Sequence, residues 1–119
     1  MVEGDGDFLM GRLVYGHAGF EIPMDDRPLA HLQVVMGSKL RRHESFLFSW
    51  ANGVANGSGR GAAWIHPSVP LLFLYSGNGH PQLNREWLDR LIELANSPQG
   101  LHIVDEPAPS ATERPHGDV

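Results

Sequence analysis

Seven histidines make a metal site the first chemistry to test: His17, His31, His43, His66, His80, His102 and His116. Two ligands on one helix face need a spacing of three or four residues, as in His-x3-His or His-Glu-x-x-His. Neither pattern occurs, and no carboxylate stands at ligand spacing beside a histidine on a shared helix face. His66, next to Trp64 and just before Pro67, is the one that invites a site. Nucleophiles fare no better. There is no cysteine, which excludes disulfides, thiolate metal sites and cysteine catalysis. Ser45, Ser49, Ser58, Ser68 and Ser76 lack a Gly-x-Ser-x-Gly elbow, which would lift the hydroxyl onto a sharp strand-to-helix turn. Asp25 and Asp26 have the chemistry of a general base, but their place before Arg27-Pro28 reads as a helix N-cap. The glycines from Gly53 to Gly61 resemble a phosphate cradle in composition. Such a cradle joins a strand to a helix, and here strand-like sequence lies on both sides, so a hairpin loop is expected. Catalytic, cofactor and metal residues are therefore expected to be none.

Two surfaces remain. Lys39, Arg41, Arg42 and His43 crowd five positions, more cation than a helix C-terminus requires, and Arg60 could extend them into a basic patch for phosphate or nucleic acid. Trp50, Trp64, His66 and Arg85 are the candidates for an interface or a pocket. Alternation puts Phe46, Phe48 and Trp50 on one strand face.

The elements that must position these groups follow from periodicity and punctuation. Arg12–Tyr15 and Phe20–Pro23 flank Gly16-His17-Ala18-Gly19 and read as a hairpin. Leu29, Leu32, Met36 and Leu40 mark an amphipathic helix over Arg27–Arg42, with Gly37 inside it as a sign of close packing. Phe46–Trp50 and Ala62–His66 are strands joined through Asn56-Gly57. Leu71–Tyr75 is apolar on both faces and so is expected at the centre of a sheet. Asn84 caps a second helix, Arg85–Ala95, whose buried stripe would be Trp87, Leu88, Leu91, Ile92 and Ala95. Leu101–Val104 completes the order ββαβββαβ: an α+β fold with one antiparallel or mixed sheet and two helices on one face. The expected organisation is a flexible extension at 1–9, a domain at 10–104 opening at Met10 as a natural start, and a disordered acidic, proline-rich tail at 105–119.

Composition narrows the partners. The chain has 119 residues and a net charge of −5, but Met10–Val104 carries eight Lys/Arg against seven Asp/Glu, so its body is nearly neutral. That argues against nonspecific nucleic-acid binding. No apolar run approaches the roughly 20 residues of a membrane span. Glu3, Asp5 and Asp7 with no basic residue are the wrong charge for a signal peptide, so the cytoplasm is the expected compartment.

The blocks Asp25–Val35, Lys39–Arg42, Ser45-Phe46, Ser49-Trp50, Trp64–Leu71, Leu83–Arg85, Ala95–Ser97 and Gly100–Val104 together resemble a family of short actinobacterial proteins with a domain of unknown function. Members are often labelled ATP-dependent DNA ligase. The resemblance covers Met10 to Pro107 and implies no activity. The ligase label fails on the residues: a nucleotidyl-transferring ligase needs a nucleophilic lysine in Lys-x-Asp-Gly, and the single lysine, Lys39, is followed by Leu40-Arg41-Arg42. The expected function is a non-enzymatic, homo-oligomeric interaction module using an open sheet face or the edge near Trp50 and Trp64. The alternatives are a nucleic-acid accessory protein using Lys39, Arg41, Arg42 and Arg60 on one surface, and a ligand binder or small enzyme in which His66, Asp25 or Asp26, and Arg85 converge on a pocket.

Overall fold

The computed structural model describes residues 10–51 and 60–108. The expected extension at 1–9, the Asn56-Gly57 turn and residues 109–119 of the expected tail lie outside the described residues. Strands β1 (Gly11–Tyr15) and β2 (Phe20–Met24) form the expected hairpin. Its turn uses Gly16 and Gly19 at positive φ, 88° and 74°, where a Cβ would be strained. Leu13 faces Ile22 across the pair. The Gly16 amide donates to the Pro70 carbonyl. By the alternation of an antiparallel ladder, even-numbered residues of β1 therefore bond toward β5 (Leu71–Leu74), and odd-numbered ones toward β2. Pro23 pairs with Arg12, so its missing N–H falls on the outer edge of β2, where a proline does no harm.

Helix α1 spans Asp26–Arg41 and buries Leu29, Leu32, Val35 and Met36. Its start corrects the sequence reading, because Asp25 occupies the N-cap without a side-chain cap bond. Asp26 reaches instead across the fold to the end of β5. Its carboxylate accepts the Ser76 amide (2.9 Å), the Ser76 hydroxyl (3.1 Å) and the Gly77 amide (3.0 Å). It takes over from β1, which starts at Gly11 and offers no partner there. The helix ends in a Schellman motif: Glu44 N–H bonds Lys39 O, His43 N–H bonds Leu40 O, and His43 sits at φ 60°. A Cβ on Gly37 would meet nothing within 4 Å, so the close packing expected there is absent.

Strands β3 (Phe46–Ala51) and β4 (Arg60–Ile65) pair antiparallel, with Phe46, Phe48 and Trp50 facing inward as expected. Gly61 lies opposite Trp50, and any Cβ there would collide with the indole. Helix α2 (Arg85–Ala95) starts on Asn84, whose side chain accepts the amides of Glu86 and Trp87. It buries Trp87, Leu91, Leu94 and Ala95, whereas Ile92 is exposed. The stripe is thus shifted toward Leu94.

Two expectations about the sheet are corrected. There is no single sheet. The order β2-β1-β5 forms one sheet and β3-β4 another. α1 packs on β1, α2 on β3, and the helices pack on each other around one shared core. The closing strand shrinks to one parallel bridge, Leu101 with Phe48. Gly100, at φ 88°, is held against Leu47, and the chain then leaves β3 to follow α2, where Trp87 Nε1 donates to Val104 O. Nor is β5 central. It is an edge strand whose inner residues, Leu71 and Phe73, pack on the core while Leu72 and Leu74 face outward. Its unbroken apolar run reflects an uncovered outer face rather than burial on both sides.

Candidate interaction surface

The predicted basic patch is dispersed. Lys39 is buried, with Nζ 2.7 Å from Asn96 Oδ1 and 3.1 Å from Glu44. Hydrogen bonding to Lys39 holds the Glu44 carboxyl below its ordinary range. Arg42 also pairs with Glu44, at 3.4 Å. Arg60 lines a groove shared with Pro28 in the first turn of α1, while Arg41 lies thirteen residues further along that helix, about 20 Å away.

The trio expected to form a pocket is also engaged separately. His66 closes its own turn: Nδ1 accepts the Ser68 amide at 3.1 Å, and Val69 N–H bonds His66 O. Asp26 is committed to Ser76 and Gly77, so its carboxyl, which burial alone would raise, is held below its ordinary value. Arg85 is exposed in the first turn of α2. The groove of about 1020 Å³ between the two sheets is lined by Ile22, Pro28 and Trp50, with Ser49, Arg60 and His102 as its polar groups. None of the trio lines it. Among the described residues no three His, Asp or Glu side chains come together to hold a metal, and no helix is long and apolar enough to cross a membrane.

Trp50 and Trp64 lie on opposite faces of their sheet. Trp50 pairs with Gly61 and stacks against Phe20 and Phe48 on the inner side. Trp64, three positions beyond Gly61, turns outward and is 67% exposed. They cannot share one docking surface.

Sequence reasoning missed a polar knot beneath the surface. His31 is fully buried against Trp87, with ring centroids 4.5 Å apart. Its Nε2 accepts the Asn84 amide at 2.8 Å, so Nδ1 carries the proton and donates to Arg27 O, also at 2.8 Å. Burial lowers its pKa and keeps it neutral. Asn84 Nδ2 donates to Glu106 and to Pro107 O, and Arg27 grips Glu106 through both Nε and Nη2 at 2.7 and 2.6 Å. Arg27 and Asn84 hold the Glu106 carboxyl down at about 2. The expected tail from Asp105 thus has its first residues docked on the domain.

Also missed was the outer face of the three-stranded sheet. Pairing places Pro23, Arg12 and Leu74 in one row and Glu21, Val14 and Leu72 in the next. Arg12 and Glu21 form an ion pair at 3.6 Å on the β2 side. The β5 side is wholly apolar, with Leu72 51% and Leu74 37% exposed. The signal was present in the sequence: a short apolar run preceded by Pro70 suits an edge as well as a centre.

A family model described as a domain of unknown function, DUF7882, matches residues 10–106. No curated protein and no solved structure matches the chain.

Proposed function

We propose that this chain, which belongs to the DUF7882 family, is a non-catalytic interaction module that associates with a second copy of itself through the β5 side of its three-stranded sheet. One observation carries the reading. Leu72 and Leu74 stand exposed beside Val14, on a strand whose far edge has no partner among the described residues. Fully burying a leucine is worth about 1.5–3 kcal/mol, so covering the exposed parts of two such side chains favours docking. Apolar clusters of this kind mark contact surfaces. The body charge is close to balanced, so two copies meet without strong net repulsion. Sedimentation velocity over a rising concentration series tests it. A dimer is expected for the full chain and a monomer for Leu72→Lys, which places a charge where the monomer already exposes the side chain. A full chain that stays monomeric up to millimolar concentration contradicts it.

A second reading rests on the groove between the sheets. Its apolar walls with Arg60 and His102 suit an apolar molecule bearing a carboxylate. Thermal-shift measurements against a series of aromatic and aliphatic acids check it, with Arg60→Ala as the control expected to abolish any stabilisation.

A further inference from the structure

We infer that two copies join by pairing β5 with β5 across a two-fold axis at Phe73, turning each three-stranded sheet into half of a continuous antiparallel one. This rests on the self-association proposed above and names the strand and the register.

Sheet edges are docking sites for strands because they expose unpaired amides and carbonyls. Among the described residues every other edge is interrupted. On β2 the outward-facing residues are Glu21 and Pro23, and Pro23 has no N–H to offer, so this edge presents a single amide. On β3 the free side is taken by Leu101, which accepts from Ser49 N–H and donates to Leu47 O. On β4 the Tyr15 hydroxyl blocks the C-terminal end, donating to Trp64 O at 2.7 Å and accepting the His66 amide at 3.0 Å. The β5 edge carries no such interruption from Leu71 to Tyr75.

The register follows from which groups are unused. Even-numbered residues of β5 bond to β1, so Leu71, Phe73 and Tyr75 turn their backbone groups outward. The run is bounded on both sides. Val69 N–H is spent on His66 O, and Gly77 N–H is spent on Asp26. The free segment is centred on Phe73. Antiparallel self-pairing that uses all of it sets Phe73 against its own copy and Leu71 against Tyr75 of the second copy. Leu72 then faces Leu74 of the second copy in a non-hydrogen-bonded pair, where side chains approach most closely. Shifting by one pair toward Val69 or Gly77 would require an amide already in use. The Arg12–Glu21 ion pairs flank the seam one strand or more away, so no like charges meet at the centre. The fold thus confines the uninterrupted β5 edge to a self-complementary segment, with Asp26 and the His66 turn as the stops.

The absence of native cysteine makes the test clean. Leu72→Cys and Leu74→Cys full chains are oxidised separately and as a mixture. A directly opposed pair sits at about 4.5 Å between Cα atoms, within disulfide reach, whereas two copies of the same position are offset by two residues and fall outside it. The mixture is expected to form the mixed disulfide several-fold faster than either variant forms its own. Faster self-linking of Leu72→Cys overturns the register. A wild-type dimer in the ultracentrifuge without preferred mixed linking overturns β5 pairing while the interaction reading stands. A monomeric wild type overturns both. On the unmutated chain, raising the concentration is expected to slow hydrogen exchange at the amides of Leu71, Phe73 and Tyr75, and uniform slowing across the sheet contradicts the pairing.

Discussion

Replacing Glu106 by Gln removes the charge that Arg27 holds and leaves the side chain its size. A carboxyl held at about 2 instead of 4.5 corresponds to about 3 kcal/mol for a pair shut off from water. The carboxylate is 30% and the guanidinium 41% exposed, so solvent screening reduces the expected loss to about 1–1.5 kcal/mol. The sign follows from the lowered folded-state pKa. The contribution is complete above the unfolded value of 4.5 and is lost as pH falls toward 2. Urea unfolding followed by tryptophan fluorescence reads it, with Trp87 packed beside the knot as reporter. At neutral pH the midpoint of Glu106→Gln should drop by about 1 M, and the gap to the wild type should shrink steadily below pH 4.5. A neutral-pH shift under about 0.2 M, or a gap that does not shrink on acidification, refutes the assigned role of the pair. Arg27→Gln should behave alike, and the double variant should lose little more than either single one.

Four further outcomes follow from the packing. Gly37→Ala, in a half-buried helical position with open space for a methyl group, should raise stability by about 0.5–1 kcal/mol in thermal unfolding. His43→Gly relieves a left-handed residue at the end of α1 and should raise it by about 1 kcal/mol by the same measurement. Gly61→Ala drives a methyl into the Trp50 indole. It should cost about 1–3 kcal/mol in denaturant unfolding and blue- or red-shift the tryptophan emission. His31 is buried neutral with its pKa lowered by burial. Stability should therefore begin to fall as pH drops below about 6.5, and His31→Gln should flatten that limb of the stability curve.

Much of the fold was legible because local signals and packing agreed. The Gly16/Gly19 hairpin, the Leu29–Leu32–Met36 stripe and the Asn84 cap each depend on residues a few positions apart. The misread elements depend on partners far along the chain. Asp26 looked like a cap because its place before Pro28 suits one, yet its bonds go to Ser76 and Gly77, fifty positions away. Lys39 looked like part of a basic patch, yet Asn96 lies fifty-seven positions on and buries it. The tail from Asp105 was expected to stay free on composition, yet Arg27 and Asn84, far back in the chain, hold Glu106 and Pro107 and dock its start. The run Leu71–Leu74 was ambiguous because an apolar outer face has the same pattern whether another layer or another molecule covers it.

The measurement that bears most directly on the account is sedimentation equilibrium of the full chain beside Leu72→Lys/Leu74→Lys, with circular dichroism to verify that both are folded. A concentration-dependent dimer that becomes a folded monomer in the variant is the predicted result. A wild type and variant with the same mass at every concentration would contradict it.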